Sequence, residues 1–164
     1  MRICLLSLLS LLLFAGCASI KTKPEAVTSV EVVDTVPRFM VEAQFKRIKE
    51  YQTGAEHAGK RVIIRTDPEI RDGYYFALLL DKKVSELPQG TVIIGEFYTA
   101  ATAEKQEYTF TLPSKLKKTK AVYLGLTGDA WPYGSGKVPA AWKFTFVDPN
   151  EVVLGSTQSY LWEL

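Results

Sequence analysis

Between residues 60 and 163, short apolar segments alternate with polar turns, and this spacing strongly constrains the fold. Seven segments are predicted to be β-strands, because their apolar side chains recur at every second position or fill both faces. Prolines fall between these segments rather than inside them, as a β-sheet requires. The predicted strands cover residues 61–66, 74–80, 91–98, 107–112, 121–127, 141–147 and 152–163.

This series predicts an all-β domain, namely a single immunoglobulin-like or transthyretin-like β-sandwich of about seven to eight strands. A small barrel would give the same pattern. Alternation also predicts which side chains face the core in three of the strands. These are Tyr108, Phe110 and Leu112 in the first, Val122, Leu124 and Leu126 in the second, and Trp142, Phe144 and Phe146 in the third.

The chain upstream of residue 60 has a weaker pattern. Alternate residues from Phe39 to Phe45 are apolar, as in a strand, whereas Ile48 and Tyr51 follow helical spacing. We predict a strand over about 45–51, with a helix as the alternative. Residues 17–38 are predicted to be an acylated cysteine and a flexible tether, in which 30–36 forms a short strand or extended chain. The sandwich is accordingly expected over residues 39–164.

The amino terminus has the parts of a secretory signal peptide. Arg2 supplies a positive charge, residues 3–14 are apolar except for two serines, and Ala15-Gly16 supplies small residues. The apolar run is too short to cross a bilayer as a helix, which takes about 20 residues. We predict that residues 1–16 are removed.

The segment Phe14-Ala15-Gly16-Cys17 resembles the lipobox of bacterial lipoproteins, with Phe14 where that family usually has Leu. The resemblance implies cleavage before Cys17 and fatty acylation of this residue, so that the protein is anchored to a lipid bilayer of the cell envelope without spanning it. Ala18 follows the cysteine. In enterobacterial lipoproteins, an Asp directly after the acylated cysteine resembles a signal for retention in the inner membrane. This chain has Ala18 there instead, so the lipobox resemblance favours the outer membrane.

Removal of residues 1–16 changes the charge balance and the cysteine content of the chain, and both bear on its function. Loss of Arg2 lowers the number of Lys and Arg from 20 to 19 against 18 Asp and Glu. This balance argues against a nucleic-acid-binding protein, which would carry a clearly basic face. Cys4 is lost and Cys17 is acylated, so no thiol remains for a disulfide, a cysteine zinc site or a cysteine nucleophile. We expect no metal or cofactor.

The sequence gives little support to catalysis. His57, the single histidine, lies in a polar loop between Gly54 and Gly59, whereas catalytic groups are normally held rigidly. No nucleophile elbow and no phosphate-binding glycine motif is present in the sequence. We therefore predict that the protein is not an enzyme and assign no catalytic residue; an envelope hydrolase is the least favoured function.

Two charged segments are candidates for ion or anion binding. Asp67, Glu69 and Asp72 could supply oxygen ligands to calcium, although their spacing differs from that of an EF-hand and Asp is also an ordinary turn residue. Four lysines between residues 115 and 120 could attract anionic lipid headgroups or cell-wall polymers, or could simply be a solvated connection.

The segment from Gly128 to Lys137 places Trp131 and Tyr133 among glycines and a proline, outside any predicted strand. We take these two aromatic residues as the candidate binding site, because such rings can contact a sugar or a peptide. The alternative is that Trp131 folds back and caps an open end of the sandwich.

These observations predict a membrane-anchored envelope lipoprotein that acts as a binding or assembly module for another envelope protein. Sheet edges and loop ends are the natural contact surfaces of such a domain. A carbohydrate-binding module that uses the Trp131 and Tyr133 loop is the alternative. The expected partners are therefore the bilayer, an envelope protein and, in the alternative, a glycan, but not nucleic acid.

We predict that Cys17→Ser abolishes maturation, because the acyl acceptor is then lost. The variant should accumulate as an uncut precursor without incorporated fatty acid, measured by labelling with a radioactive fatty acid and by mass spectrometry of the amino terminus. Normal cleavage and membrane retention of the variant would exclude the lipoprotein interpretation.

Overall fold

The structure, a computed structural model, describes residues 27–99 and 102–163. Eight strands in the described part form two four-stranded sheets, so the predicted all-β sandwich is confirmed. The strands are β1 (Val32–Met40), β2 (Val62–Arg65), β3 (Gly73–Leu80), β4 (Val92–Thr99), β5 (Thr102–Thr111), β6 (Ala121–Thr127), β7 (Pro139–Val147) and β8 (Val153–Gln158).

The first sheet has the order β1-β3-β6-β2, and the second has the order β5-β4-β7-β8. Neighbouring strands are antiparallel except for β2 and β6, which run parallel with Val62 opposite Val122. The chain therefore crosses between sheets repeatedly, which brings residues far apart in sequence to the same end of the sandwich.

The core lies between the two sheets. The side chains predicted to face inward do so: Val122, Leu124, Leu126, Phe144 and Phe146 are fully buried, and Trp142 packs against them. In β5 and the residue that follows it, the alternation is also confirmed, since Phe110 and Leu112 are buried while Thr109 and Thr111 are exposed. Phe→Ala substitutions in such a core typically cost about 3–5 kcal/mol.

The chain between β1 and β2 is helical where a strand was predicted. Two short helices, α1 (Glu42–Phe45) and α2 (Ile48–Thr53), replace the predicted strand over 45–51, so that prediction is wrong and the helical alternative is confirmed. The reason is tertiary packing: Phe45 is buried against Tyr75 on the outer face of the first sheet, with ring centroids 4.7 Å apart. Gly54, with a φ of 69°, ends α2 in the left-handed region.

The last predicted strand is too long. β8 ends at Gln158, and Tyr160–Glu163 forms a 3₁₀ turn in which the Trp162 ring lies 5.4 Å from that of Tyr98. Further 3₁₀ turns occupy Val84–Glu86, Gly128–Ala130 and Gly134–Gly136.

The folded domain begins before the predicted boundary at residue 38, which falls inside β1. Of the two alternatives for residues 30–36, the strand applies from Val32 onward. Val30 is buried, and its N–H donates to the Leu154 carbonyl over 2.8 Å. Gly155 permits this approach, because a Cβ there would lie 2.0 Å from the Val30 carbonyl oxygen. Cys17 and the signal segment lie outside the described residues.

The sandwich has two ends, which we name by where the chain enters it. The entry end holds the start of β1, the end of β3 and the start of β6, because Val32 pairs with Leu80 and Leu79 pairs with Ala121. The opposite end holds α1, α2 and the segment from Gly128 to Lys137. Within the described residues, none of the helices has the length and hydropathy to cross a bilayer.

Candidate functional site

The two aromatic residues predicted as a binding site pack onto the domain at its opposite end. Trp131 is only 5% exposed and belongs to the core cluster. Its ring centroid lies 4.8 Å from that of Tyr74 and 5.2 Å from that of Tyr133. The indole N–H donates to the Gly134 carbonyl over 2.8 Å. Trp131 thus packs as a cap, the alternative set out above, and its ring presents no open face to solvent.

A cleft of about 420 Å³ lies beside this capped loop and is the better candidate for ligand binding. It opens where the end of β2 in the first sheet approaches β5 in the second. Its lining mixes an aromatic ring with carboxyl and hydroxyl groups, the combination that sites for polar ligands use. The lining residues are Arg65, Thr66, Asp67, Pro68, Tyr108, Thr109, Thr127, Asp129 and Ala130.

Tyr108 supplies the ring of this cleft. Burial raises the pKa of Tyr108, and the nearby Tyr133 raises it further. The phenol therefore stays protonated at neutral pH and can both donate and accept a hydrogen bond. Sequence alternation placed Tyr108 toward the core, but it gave no sign that this residue also lines a cleft.

Thr66 and Thr127 fix one wall of the cleft. The Thr66 hydroxyl donates to the Thr127 carbonyl over 3.0 Å and accepts from the Thr127 N–H over 2.8 Å. The Thr127 hydroxyl donates to the Asp67 carbonyl and accepts from the Asp67 N–H, at 2.8 and 2.9 Å. These bonds join the end of β2 to the end of β6, so the wall is part of the sheet framework.

The three carboxylates considered for calcium do not form one site. The Asp67 carboxylate accepts from the Glu69 N–H over 2.9 Å, as in an ordinary Asx turn. The Asp72 carboxylate accepts from the Glu42 N–H over 2.6 Å and so fixes the start of α1. Residues 27–99 and 102–163 contain no group of three or more side chains arranged to hold a metal ion.

An ionic network holds α1, α2 and the following loop on the outer face of the first sheet. Arg71 contacts Glu50 at 2.7 Å, and Arg65 makes a bidentate pair with Glu56 at 2.7 and 3.0 Å. The side chains of Glu50 and Arg65 are 7% and 6% exposed. Charges this deeply buried need partners, since an isolated one would be strongly destabilising.

Tyr75 links the two arginines of this network. Its hydroxyl accepts from the Arg65 Nε over 2.8 Å and donates to the Arg71 carbonyl over 2.7 Å. The ring lies across Gly125 of β6, where a Cβ would come within 2.4 Å of a ring carbon. Glycine is therefore required at this position for the Tyr75 ring to reach both arginines.

The network lowers the pKa of its carboxyl groups. The hydrogen bond from Arg71 is the main cause for Glu50, with smaller contributions from the backbone amides of His57 and Arg47. The hydrogen bond from Arg65 does the same for Glu56. One carboxylate oxygen of Glu50, Oε1, is buried without a hydrogen-bond partner among the described residues.

Sequence reasoning missed this network. The sequence analysis placed Arg65 in the predicted strand over residues 61–66 and gave Arg71 no role. A signal was present for Arg65, because it stands in a predicted strand and buried arginines need acidic partners. Arg71, between the exposed residues Ile70 and Asp72, gave no such signal. The sequence could not say which carboxylates those are, because Glu50 lies 21 residues from Arg71.

Comparisons of this chain with protein families, with curated proteins and with solved structures find no match. Any statement on function therefore depends on the residues and geometry described above.

We predict that Trp131→Ala lowers the free energy of unfolding by about 3–5 kcal/mol, as large-to-small substitutions in a core do. Ser135→Ala, at an exposed position in the same loop, should change it by less than about 0.5 kcal/mol. Urea unfolding followed by circular dichroism measures both. Equal stability of the two variants would mean that the ring does not cap the core.

We also predict that acid weakens the fold through the ionic network. Because the folded pKa values of Glu50 and Glu56 lie below the ordinary 4.5, the unfolded chain binds protons first as pH falls. The stabilisation is therefore complete above about pH 4.5 and is lost as pH falls through the folded pKa values. Glu50→Gln should flatten this pH dependence, measured by urea unfolding at a series of pH values.

Glu69→Gln, at an exposed loop position, is the control and should follow the wild-type pH profile. Identical profiles for the Glu50 variant and this control would show that Glu50 gives no pH-dependent stability.

Proposed function

We propose that the protein is a lipid-anchored lipoprotein of the cell envelope that binds another envelope protein through the outer face of its first sheet. The anchor is supported by the lipobox-like residues before Cys17. The binding role is supported by one observation in the folded domain: α1 and α2 cover only part of this outer face, and apolar side chains remain exposed on the rest.

The exposed part of this face lies toward the entry end. Leu79 and Val36 are 42% and 45% exposed and belong to neighbouring strands. They share a face, because Val36 pairs with Ala77, two residues from Leu79. In the next strands the same face continues with Tyr123, opposite Ala77, and Ile63, opposite Tyr123. Both are half-buried, because they also pack against the buried cluster that contains Phe45 and Tyr75. We call this set, together with Ala121, the open face.

The open face suits a protein partner better than a small ligand. Its members are Val, Leu, Ile, Ala and Tyr on a sheet, which gives a broad apolar surface of the kind that forms interface cores. Charged groups lie at its border: Asp34 in β1 stands opposite Leu79, and the Arg61 guanidinium lies 5.9 Å from the centre of the Tyr123 ring. An apolar centre with a polar rim is the usual plan of a protein interface.

The edges of the first sheet give less support to pairing with an added strand. β1 lies at one edge but contains Pro37, which lacks an N–H, and Pro on an edge strand hinders strand addition. We therefore assign binding to the face of the sheet rather than to its edge.

Carbohydrate binding remains the second candidate, and the cleft beside the Trp131 loop favours it. Tyr108, Asp67, Asp129 and Thr109 all line this one cleft. Sugars are bound by such combinations of rings and hydrogen-bonding groups. Trp131 would then support the cleft from the core rather than touch the ligand.

The proposed protein interface predicts a specific loss of binding. The protein that carries both Val36→Lys and Leu79→Lys should recover at least tenfold less of a partner that is captured with the wild type. A tenfold loss of affinity corresponds to about 1.4 kcal/mol of binding free energy. Capture of the acylated protein from native membranes, followed by quantitative mass spectrometry, measures this ratio. Both positions are exposed, so the thermal stability of the variant should stay near that of the wild type.

Val152→Lys with Val153→Lys is the matched control, because it also adds two lysines and these residues, just before and at the start of β8 in the second sheet, are 53% and 58% exposed. A protein retained by this control and lost from the open-face variant would support the proposal. Equal recovery from both variants would exclude the open face as the interface. Retention on immobilised glycans that Tyr108→Ala abolishes would support carbohydrate binding instead.

A further inference from the structure

The connection between β5 and β6 concentrates positive charge at the entry end. Residues 113–120 contain four lysines and no acidic residue. Lys60, just before β2, joins them, because the Lys117 ammonium donates to the carbonyls of Gly59 and Arg61 over 3.1 and 2.7 Å. A cleft of about 750 Å³ lies between these segments, lined by Gly59, Lys60, Pro113, Lys115, Leu116, Lys117 and Lys118.

Three of the lysines around this cleft keep their charge available. Lys60, Lys115 and Lys118 are exposed, and in the described part of the chain no carboxylate lies within ion-pair distance of them. Lys117 is instead held by backbone carbonyls. The floor of the cleft is apolar, since Leu116 packs against the core. Ammonium groups around an apolar floor suit an anionic amphiphile.

The amino-terminal segment enters the sandwich at this same end. The Glu31 N–H donates to Asp81 over 3.0 Å, and the Lys82 ammonium donates to the Ser29 carbonyl. The Lys120 ammonium donates to the Asp81 carbonyl over 2.6 Å. The β5–β6 connection and the chain that leads to Cys17 thus meet at the loop after β3.

The length of the remaining chain keeps this end near the lipid. Nine residues lie between Cys17 and Val27, and the stretch from one to the other reaches at most roughly 35 Å when fully extended. A domain held at that distance can rotate, and attraction between lysines and anionic headgroups selects one orientation. The hairpin after β7 carries Asp148 and Glu151 on another side of the same end, so the attraction is directed to the β5–β6 connection.

We propose that the surface formed by Lys60, Lys115 and Lys118 docks onto an anionic phospholipid bilayer. The domain is thereby oriented with its entry end toward the membrane and the cleft at Tyr108 away from it. This inference rests on the proposed acyl anchor at Cys17. Each lysine near an anionic membrane contributes about a fivefold increase in binding, and the effect weakens with salt.

The test uses the acylated protein in vesicles of phosphatidylcholine alone or with one quarter phosphatidylglycerol. Acylation leaves the processed chain without a free thiol, so Ser114→Cys at the entry end and Ser135→Cys at the opposite end can each carry a single fluorophore. Both serines are exposed. Quenching by a headgroup-labelled lipid should be strong at position 114 in the anionic vesicles, weak at position 135, and reduced by high salt.

Lys115→Gln with Lys118→Gln should lower the equilibrium constant for surface contact roughly fivefold per lysine. Lys46→Gln with Lys137→Gln, at the opposite end, removes the same net charge and should leave quenching at position 114 unchanged. Flotation with vesicles but equal quenching at both positions, or no effect of the Lys115 and Lys118 changes, would overturn the docking proposal alone. Failure of the acylated protein to float with either vesicle would overturn the anchor and the docking together.

Discussion

Phe76, in the middle of β3, meets three rings of the second sheet. Its ring centroid lies 5.4 Å from Phe97, 5.5 Å from Trp142 and 5.0 Å from Phe144. A domain expected to lack a disulfide depends on such contacts between its sheets, because burial of large rings is the main source of its stability. The other features of the structure, including both ends of the sandwich, are positioned by this layer of rings.

The outer face of the first sheet divides into two regions, one covered by packed and ion-paired side chains and one with exposed apolar side chains. Toward the opposite end, Tyr75 is covered by Phe45 and linked to buried ion pairs, so this region belongs to the folded domain. Toward the entry end, Leu79 and Val36 stay exposed. Desolvation of the ion pairs offsets much of their attraction, and their value lies in fixing where the helical segment sits. That placement limits how much apolar surface remains open.

Strands were predictable where side chains alternate between core and solvent. β6 spans Ala121–Thr127, the range predicted from the sequence. The prediction succeeds because every second side chain of this strand faces the core, as the alternating pattern indicates. The helical segment was not predictable with certainty: α1 has four residues and α2 has six, and helices this short depend on tertiary contacts such as Phe45 on Tyr75.

The position of the candidate site in the chain was predictable, but the packing of its side chains was not. The Trp131 loop was found because two large rings lie among glycines, yet nothing in the sequence decides whether a loop tryptophan packs inward or outward. The Tyr108 cleft depends on β2 and β5, which belong to different sheets and approach only in the folded domain. The ion pair of Arg71 and Glu50 also forms only in the folded domain. No periodic pattern in the sequence links these two residues, so the pair could not be predicted.

The parallel pair of β2 and β6 imposes an order on folding. β1 and β3 can pair as soon as residue 80 is available. Among the described strands, however, β2 pairs with β6 alone, and Val62 must wait for Val122. Closing so long a loop costs entropy before any contact is gained. During synthesis from the amino terminus, the four residues of β2 therefore remain without a strand partner until most of the domain has emerged. Arg65 lies at the end of that strand, so its ion pair with Glu56 in the loop after α2 is completed late as well.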